Sequence, residues 1–221
     1  MDKRPAVTRR TLIETGLRLL DEVGLDGLTV RRLAAELGVK SPALYWHIRT
    51  KQELLDGMAD AIVRSGGMGP PHPGESWQDW LTRRAHAYRT ALLSHRDAAR
   101  VVVGATTLSP SAIQLFDREL RAMTAFGFTP VLALRTVATL THYVTGFVLR
   151  EQTPRPDPAP QPSPADLLDE SSPLLAAVRE GGGTAGTETF THGLRALIDG
   201  TATALARSGD RGPADRGSSP R

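Results

Sequence analysis

The chain has 221 residues, 27 of them lysine or arginine against 24 aspartate or glutamate, for a formal net charge of +3. It has no cysteine, which excludes disulfides, thiolate zinc sites and cysteine nucleophiles, and no pair among its six histidines has the spacing of a helical metal site. No run approaches the roughly 18 to 20 apolar residues that span a bilayer, and MDKRPAVTRRT at the N-terminus lacks the apolar segment of a signal peptide, so a cytosolic protein with no membrane partner is expected. The length suits a small domain plus one larger one. Charge is unevenly spread: residues 1–51 hold ten Lys or Arg against six acids, while the rest is nearly neutral. Such a bias suits phosphate attraction by one end of the molecule, although a solvated surface often has the same composition.

Residues 1–7 show no apolar periodicity and read as a mobile basic arm. From Thr8 or Thr11 to about Val23, Leu12, Ile13, Leu17, Leu20 and Val23 recur at helical spacing; Thr11 with Glu14 fits a capping box and Gly24 ends the helix. The stretch from Thr29 to Lys51 then reads as two short helices joined by a tight turn. Thr29 is the predicted N-cap of the first, Leu28 can staple onto Leu33, and Leu33, Ala34 and Leu37 share a face before Gly38 supplies a left-handed stop. Ser41 is the predicted N-cap of the second helix, with Pro42 at its first position. Two helices this close match the helix-turn-helix, whose second helix enters the DNA major groove N-terminus first. Ser41, Ala43, Tyr45, Trp46 and His47 should then be exposed, with Leu44 and Ile48 turned inward. An aromatic pair is more often ordinary core, but polar neighbours on so short a helix favour DNA contact.

Thr50 and Glu53 make a second capping box opening a helix to about Arg64, the natural mechanical link out of the DNA-binding part. The glycines and prolines of residues 66–74 mark a boundary, so the expected organisation is a helix-turn-helix domain over 1–65, a ligand-binding and dimerisation domain over 75–207 and a disordered tail over 208–221. Every later element reads as a helix: Ser76 to about Leu93, Asp97 to Val103, Ser109-Pro110 to Gly127, Thr129-Pro130 to about Glu151, Ser172-Pro173 to Glu180, and about Thr187 to Arg207. Residues 153–164 hold six prolines and read as an extended loop. The fold class is therefore all-α. The helix through Val131 to Leu149 is apolar on more than one face, so it is either the centre of a monomeric bundle or, with the last helix, half of a four-helix interface in a homodimer. Because a helix-turn-helix usually reads a two-fold site with half-sites about 34 to 36 Å apart, the dimer is favoured.

At this point the chain resembles the tetracycline-repressor family. The segment LLDEVGLDGLTVRRLAAELGVKSPALYWHIRTKQELLD carries the widely shared N-terminal pattern; GESWQDWL at 74–81, ALLSHRDAARV at 91–101, THYVTGFVLREQ at 141–152 and FTHGLRALIDG at 190–200 are more specific. The resemblance covers about residues 8–205. It implies an all-helical homodimer whose N-terminal domains bind a palindromic double-stranded DNA operator and block transcription, with a small-molecule effector pocket in each C-terminal core. On the family's pattern the DNA contacts fall on Thr29, Arg31, Ser41, Pro42, Ala43, Tyr45, Trp46, His47 and Lys51. Arg31 suits bidentate guanine reading and Lys51 a phosphate contact. Ser41 and Ala43 replace the Gln and Thr of tetracycline repressors, which should select a different operator.

The pocket departs further from that pattern. The imidazole that ligates drug-bound magnesium aligns with Val102, and the neighbouring Thr and Arg with Ala105 and Thr106. The amide that grips the drug aligns with Arg84, its aromatic neighbour with Tyr88, the histidine near the linker with residues 65–67, and the acid behind the metal with Arg150, next to Glu151. The resemblance thus implies an effector other than magnesium-tetracycline, anionic or planar, lined by Arg84, Tyr88, His95, Val102, Thr106, Gln114 and His142, each of which also has an ordinary structural explanation. Rival readings are an all-helical enzyme, for which no nucleophile elbow, phosphate loop or carboxylate pair is present, a DNA-binding scaffold whose C-terminal part only dimerises, and an activator rather than a repressor. A regulator should enclose a sizeable pocket among the helices of residues 76–150; a scaffold should be filled.

Overall fold

A computed structural model describes residues 7–153, 167–181 and 183–209. The basic arm, most of the proline-rich segment and most of the tail lie outside them. The described residues form α1 (Arg9–Gly27), α2 (Val30–Glu36), α3 (Ser41–Leu44), α4 (Lys51–Ser65), α5 (Trp77–Leu93), α6 (Ala98–Val103), α7 (Pro110–Ala125), α8 (Pro130–Gln152), α9 (Pro173–Arg179) and α10 (Thr187–Gly209), with no strand among them. The last helix therefore runs two residues into the stretch expected to be tail.

Local chemistry explains most boundaries, with three corrections. Thr8, not Thr11, caps α1: its hydroxyl accepts from Thr11 N while Thr11 Oγ1 accepts from Thr8 N (2.8 Å), so the reciprocal partner is a threonine rather than Glu14. Lys40, in an extended conformation, is the N-cap of α3 and Ser41 sits inside the helix, because the first turn closes one residue early through Ala43 N to Lys40 O at 2.9 Å. Thr50 caps α4 as expected, accepting from Glu53 N at 3.1 Å, but the Glu53 carboxylate accepts from Arg49 N (2.8 Å), one residue before the cap. Elsewhere Thr29, Ser76, Ser109, Thr129 and Ser172 each accept the N–H three residues on, as N-caps do. Gly38 takes the left-handed conformation (φ 66°) that turns α2 into α3.

The core is continuous from one end to the other. α1 packs on α2 and α4, α2 on α3, and α4 on α5, α6 and α7; α8 packs on α5, α6, α7 and α10. Leu12, Leu20, Leu28, Leu33, Leu44, Leu54, Met58, Trp80, Leu92, Val137, Val148 and Phe190 are all fully or almost fully buried in one cluster. The membrane expectation needs amending at one element: α8 is long enough to cross a bilayer and reaches a mean hydropathy of 1.2 over 18 residues. Here its Ala133, Val137, Leu140, Val144 and Val148 are core side chains, so one apolar face is packed inside the bundle, while Val131 and Leu134 are exposed.

α3 is a single turn and is too short to be stable on its own. What holds it is the burial of Leu44 and Ile48, at 0 % and 2 % exposure. Leu44→Ala should therefore cost about 2 to 5 kcal/mol, whereas Trp46→Ala should change stability by less than about 0.5 kcal/mol; urea denaturation of the two variants beside the parent measures both, and equal effects would contradict this packing.

Candidate nucleic-acid interface and effector site

The residues expected to meet DNA fall at the start of α2, on α3 and the turn after it, and at the start of α4. Thr29 is exposed and occupied as the cap of α2, its hydroxyl 3.2 Å from Arg32 N. Ser41 and Ala43 are half-buried on α3, while Pro42, His47, Arg31 and Lys51 are exposed. Tyr45 is 52 % exposed and Trp46 90 %. Leaving an indole in water is unfavourable, and Trp46 has no packing role that offsets it. Arg18 on α1 is tied to Glu22 and Glu36. By contrast, no ion pair among the described residues engages Arg31, Arg32, Lys40, Arg49 or Lys51, although Lys51 is near enough to Asp26 to help lower its pKa.

Two latches join these helices to the body. In the first, the turn after α5 grips the end of α1: Asp21 accepts from Arg96 N and pairs with His95 Nδ1, both at 2.9 Å, Asp97 accepts from Leu25 N at 2.9 Å, and Arg100 pairs with Asp26 at 3.0 Å. Asp97 itself has a left-handed backbone (φ 55°), uncommon for a residue with a Cβ. Opposite it Gly24 has φ 70°, and a Cβ there would lie 3.0 Å from the Asp97 carboxylate. Glycine is needed at 24 for both reasons. In the second latch Asp56 of α4 accepts from Thr106 N (2.9 Å), Thr106 Oγ1 (2.8 Å), Thr107 Oγ1 (3.0 Å) and Gln52 Nε2 (2.8 Å). Burial works to raise the Asp56 pKa, but these donors outweigh it and hold the carboxyl below its ordinary value.

The seven residues expected to line an effector pocket are not brought together. Arg84 and Tyr88 are neighbours on the buried side of α5, and Tyr88 Oη lies 3.0 Å from Thr145 Oγ1. Burial raises the Tyr88 pKa, so its phenol stays neutral. His95 and Thr106 belong to the latches, Val102 is half-buried on α6, and Gln114 and His142 are exposed on α7 and α8. The cavity beside Arg84 and Tyr88, closed by Val63, Gly66, Met68 and Thr141, measures only about 20 Å³, against the sizeable pocket expected. Val102 offers no lone pair to a metal, and among the described residues no cluster of three His, Asp or Glu side chains could hold one.

Sequence reasoning missed Glu119. This residue of α7 is fully buried, and its Oε1 accepts from Arg84 Nε at 2.7 Å and from Gly69 N at 3.1 Å, while Gly69 O accepts from Trp80 Nε1 at 3.1 Å. The Glu119 Oε2 atom is buried with no partner among the described residues. The carboxylate thus neutralises Arg84 and pins the 66–69 linker to the body. The signal was present: Ala112, Phe116, Glu119 and Met123 form one stripe at helical spacing, and an acid on an apolar stripe calls for a buried cation.

The chain thus carries a helix-turn-helix on an all-helical body, the architecture of a DNA-binding protein. Residues 12–58 match the family model described as bacterial regulatory proteins, tetR family, and residues 70–205 match the tetracyclin repressor-like C-terminal domain. The chain belongs to the tetracycline-repressor family of transcriptional regulators. It is 36 % identical over 201 residues to the class D tetracycline repressor protein of Escherichia coli, covering 88 % of each. Among solved structures it is similar to a tetracycline-repressor variant from Acinetobacter baumannii AYE in complex with minocycline, at 32 % identity, 90 % and 95 % coverage and a TM-score of 0.73. A possible TetR family transcriptional regulator from Streptomyces coelicolor A3(2) gives 32 % identity, 89 % and 99 % coverage and a TM-score of 0.74.

Removing one partner of a buried ion pair leaves the other charge stranded. Glu119→Ala should therefore lose about 3 to 5 kcal/mol of stability, while Arg84→Met combined with Glu119→Leu should come within about 1 to 2 kcal/mol of the parent; chemical denaturation of single and double variants decides whether the pair is structural in this way.

Proposed function

We propose that this protein is a repressor that binds a palindromic operator as a homodimer in the cytosol and is released by a small molecule bound in the body of residues 75–207, with residues 1–65 as its DNA-binding domain. The observation that carries the DNA part is the coincidence, within one short motif, of a tryptophan 90 % exposed and five cations with no ion-pair partner among the described residues. Arg31 reads a guanine edge through its forked guanidinium, Tyr45, Trp46 and Ala43 meet bases and their methyl groups, and Thr29, Ser41, Pro42, His47 and Lys51 set the register on sugars and phosphates. α8 and α10 pair with their copies, which covers exposed Val131 and Leu134 and fixes the distance between the two recognition helices. No covalent chemistry is involved. The switch is a shift between two arrangements of one dimer, limited by the effector's differential affinity for them.

The effector differs from a magnesium-tetracycline chelate, since valine stands at 102 and Arg84 is already neutralised by Glu119. That neutralisation also removes the argument for an anion, leaving a ligand that offers a donor to Glu119 Oε2 and stacks near Tyr88. The cavity of about 20 Å³ supports a second reading, a DNA-binding dimer without an effector, because a ligand needs this space to open.

Selection of duplexes from a random library by the full chain should enrich a two-fold site with half-site centres about 34 to 36 Å apart. Arg31→Ala should weaken that site by about 1 to 3 kcal/mol and relax it at one base pair, whereas Lys51→Ala should weaken all sequences alike and reduce the salt slope by about one. Enrichment without symmetry, or identical behaviour of the two variants, counts against the interface. For the effector, tetracycline with magnesium should leave the melting temperature unchanged, and a screen of planar neutral compounds should yield one that both stabilises the protein and releases the selected DNA. A screen in which every compound leaves both unchanged favours the effector-free reading.

A further inference from the structure

A second candidate site lies outside the helical body, where α1, α4 and the turn before α7 leave a cleft of about 820 Å³. That is the size of a small-molecule site. Its apolar wall comes from Ile13 and Leu17 on α1 and from Leu108 and Pro110 on the turn, with Leu108 56 % exposed.

Two acids of α4, one turn apart, border the cleft and differ sharply in how they are satisfied. Asp56 receives four donors from its latch. Asp60, whose side chain is 11 % exposed, receives one: Arg64 Nε meets its Oδ2 at 2.9 Å, from a side chain itself 46 % exposed. The Asp60 Oδ1 atom is shut off from water and has no hydrogen-bond partner among the described residues. A carboxylate so nearly buried ordinarily gathers several donors. The cations around the cleft leave no comparable vacancy, since Arg10 is exposed and held by Glu14 at 2.7 Å, and Arg9 is exposed and 3.8 Å from Glu53. The imbalance is therefore an under-bonded negative charge beside an apolar wall.

We propose that this cleft binds a small amphipathic amine, its ammonium at Asp60 and its apolar body against Ile13, Leu17, Leu108 and Pro110. An ammonium carries three donors and serves both carboxylate oxygens after a rotation about the Asp60 Cβ–Cγ bond, displacing the exposed Arg64 into solvent. Such a ligand bridges α1 of the DNA-binding helices and the turn that carries the Asp56 latch, which makes the cleft a second point of control apart from the core.

The test uses the full chain without DNA, so its outcome is independent of operator binding. Two fluorescent probes of equal shape, anthracenylmethylammonium and neutral anthracenemethanol, are titrated at neutral pH and low salt. The ammonium should bind about tenfold more tightly than the alcohol, Asp60→Asn should abolish that preference, and Arg64→Met should tighten ammonium binding by removing its competitor. Equal affinity for the two probes, no binding of the ammonium at about 1 mM, or an Arg64→Met variant that titrates like the parent would overturn the proposal; the last arm stands even where Asp60→Asn fails to fold.

Discussion

The molecule turns on the grip between the DNA-binding helices and the body. α4 belongs to both: its apolar face closes the core under α1 while Asp56 on its side is bonded to Thr106 and Thr107 in the turn between α6 and α7. A buried carboxylate held by a backbone N–H and three side-chain donors is rigid, because every donor it lost would leave charge uncompensated. The Asp21, Asp97 and Arg100 contacts add a second grip on α1, about 35 residues earlier in the chain than Asp56. With these two attachment points the helix-turn-helix is held to the body at both α1 and α4.

The grip is in turn coupled to the core. Gln152 at the end of α8 donates to Leu92 O at 2.9 Å and His95 O at 2.8 Å and accepts from Ala99 N at 3.1 Å, so this core helix braces the turn that holds α1. The 66–69 linker is braced from the other side by Glu119 and Trp80. The Arg84 and Glu119 pair keeps two charges out of water and ties the linker after α4 to α5 and α7. Buried pairs of this kind add little net stability, yet losing one partner is costly.

Much of this was legible in the amino-acid order, for identifiable reasons. Helix starts were readable because capping is a local bond between residues three apart, as Thr29, Ser76, Ser109, Thr129 and Ser172 demonstrate. Where the prediction slipped, the competing partner was one residue away at Lys40 and at the Arg49 end of the Glu53 bond and one helical turn away at Thr8, and local pattern has no power to separate them. The helix-turn-helix and its inward Leu44 and Ile48 followed from spacing alone.

What the chain determined by itself, then, was a set of helices with their ends, an apolar face for each, and a cationic, aromatic-tipped motif near its start, since all of these rest on neighbours within a turn or two. Only the tertiary structure decided that His95 and Thr106 serve as latches, that Glu119 meets Arg84 across 35 residues of sequence, and that the larger open space lies beside Asp60 and not in the core. Those outcomes depend on which faces meet in space, and a buried charge takes whichever partner the packing delivers to it.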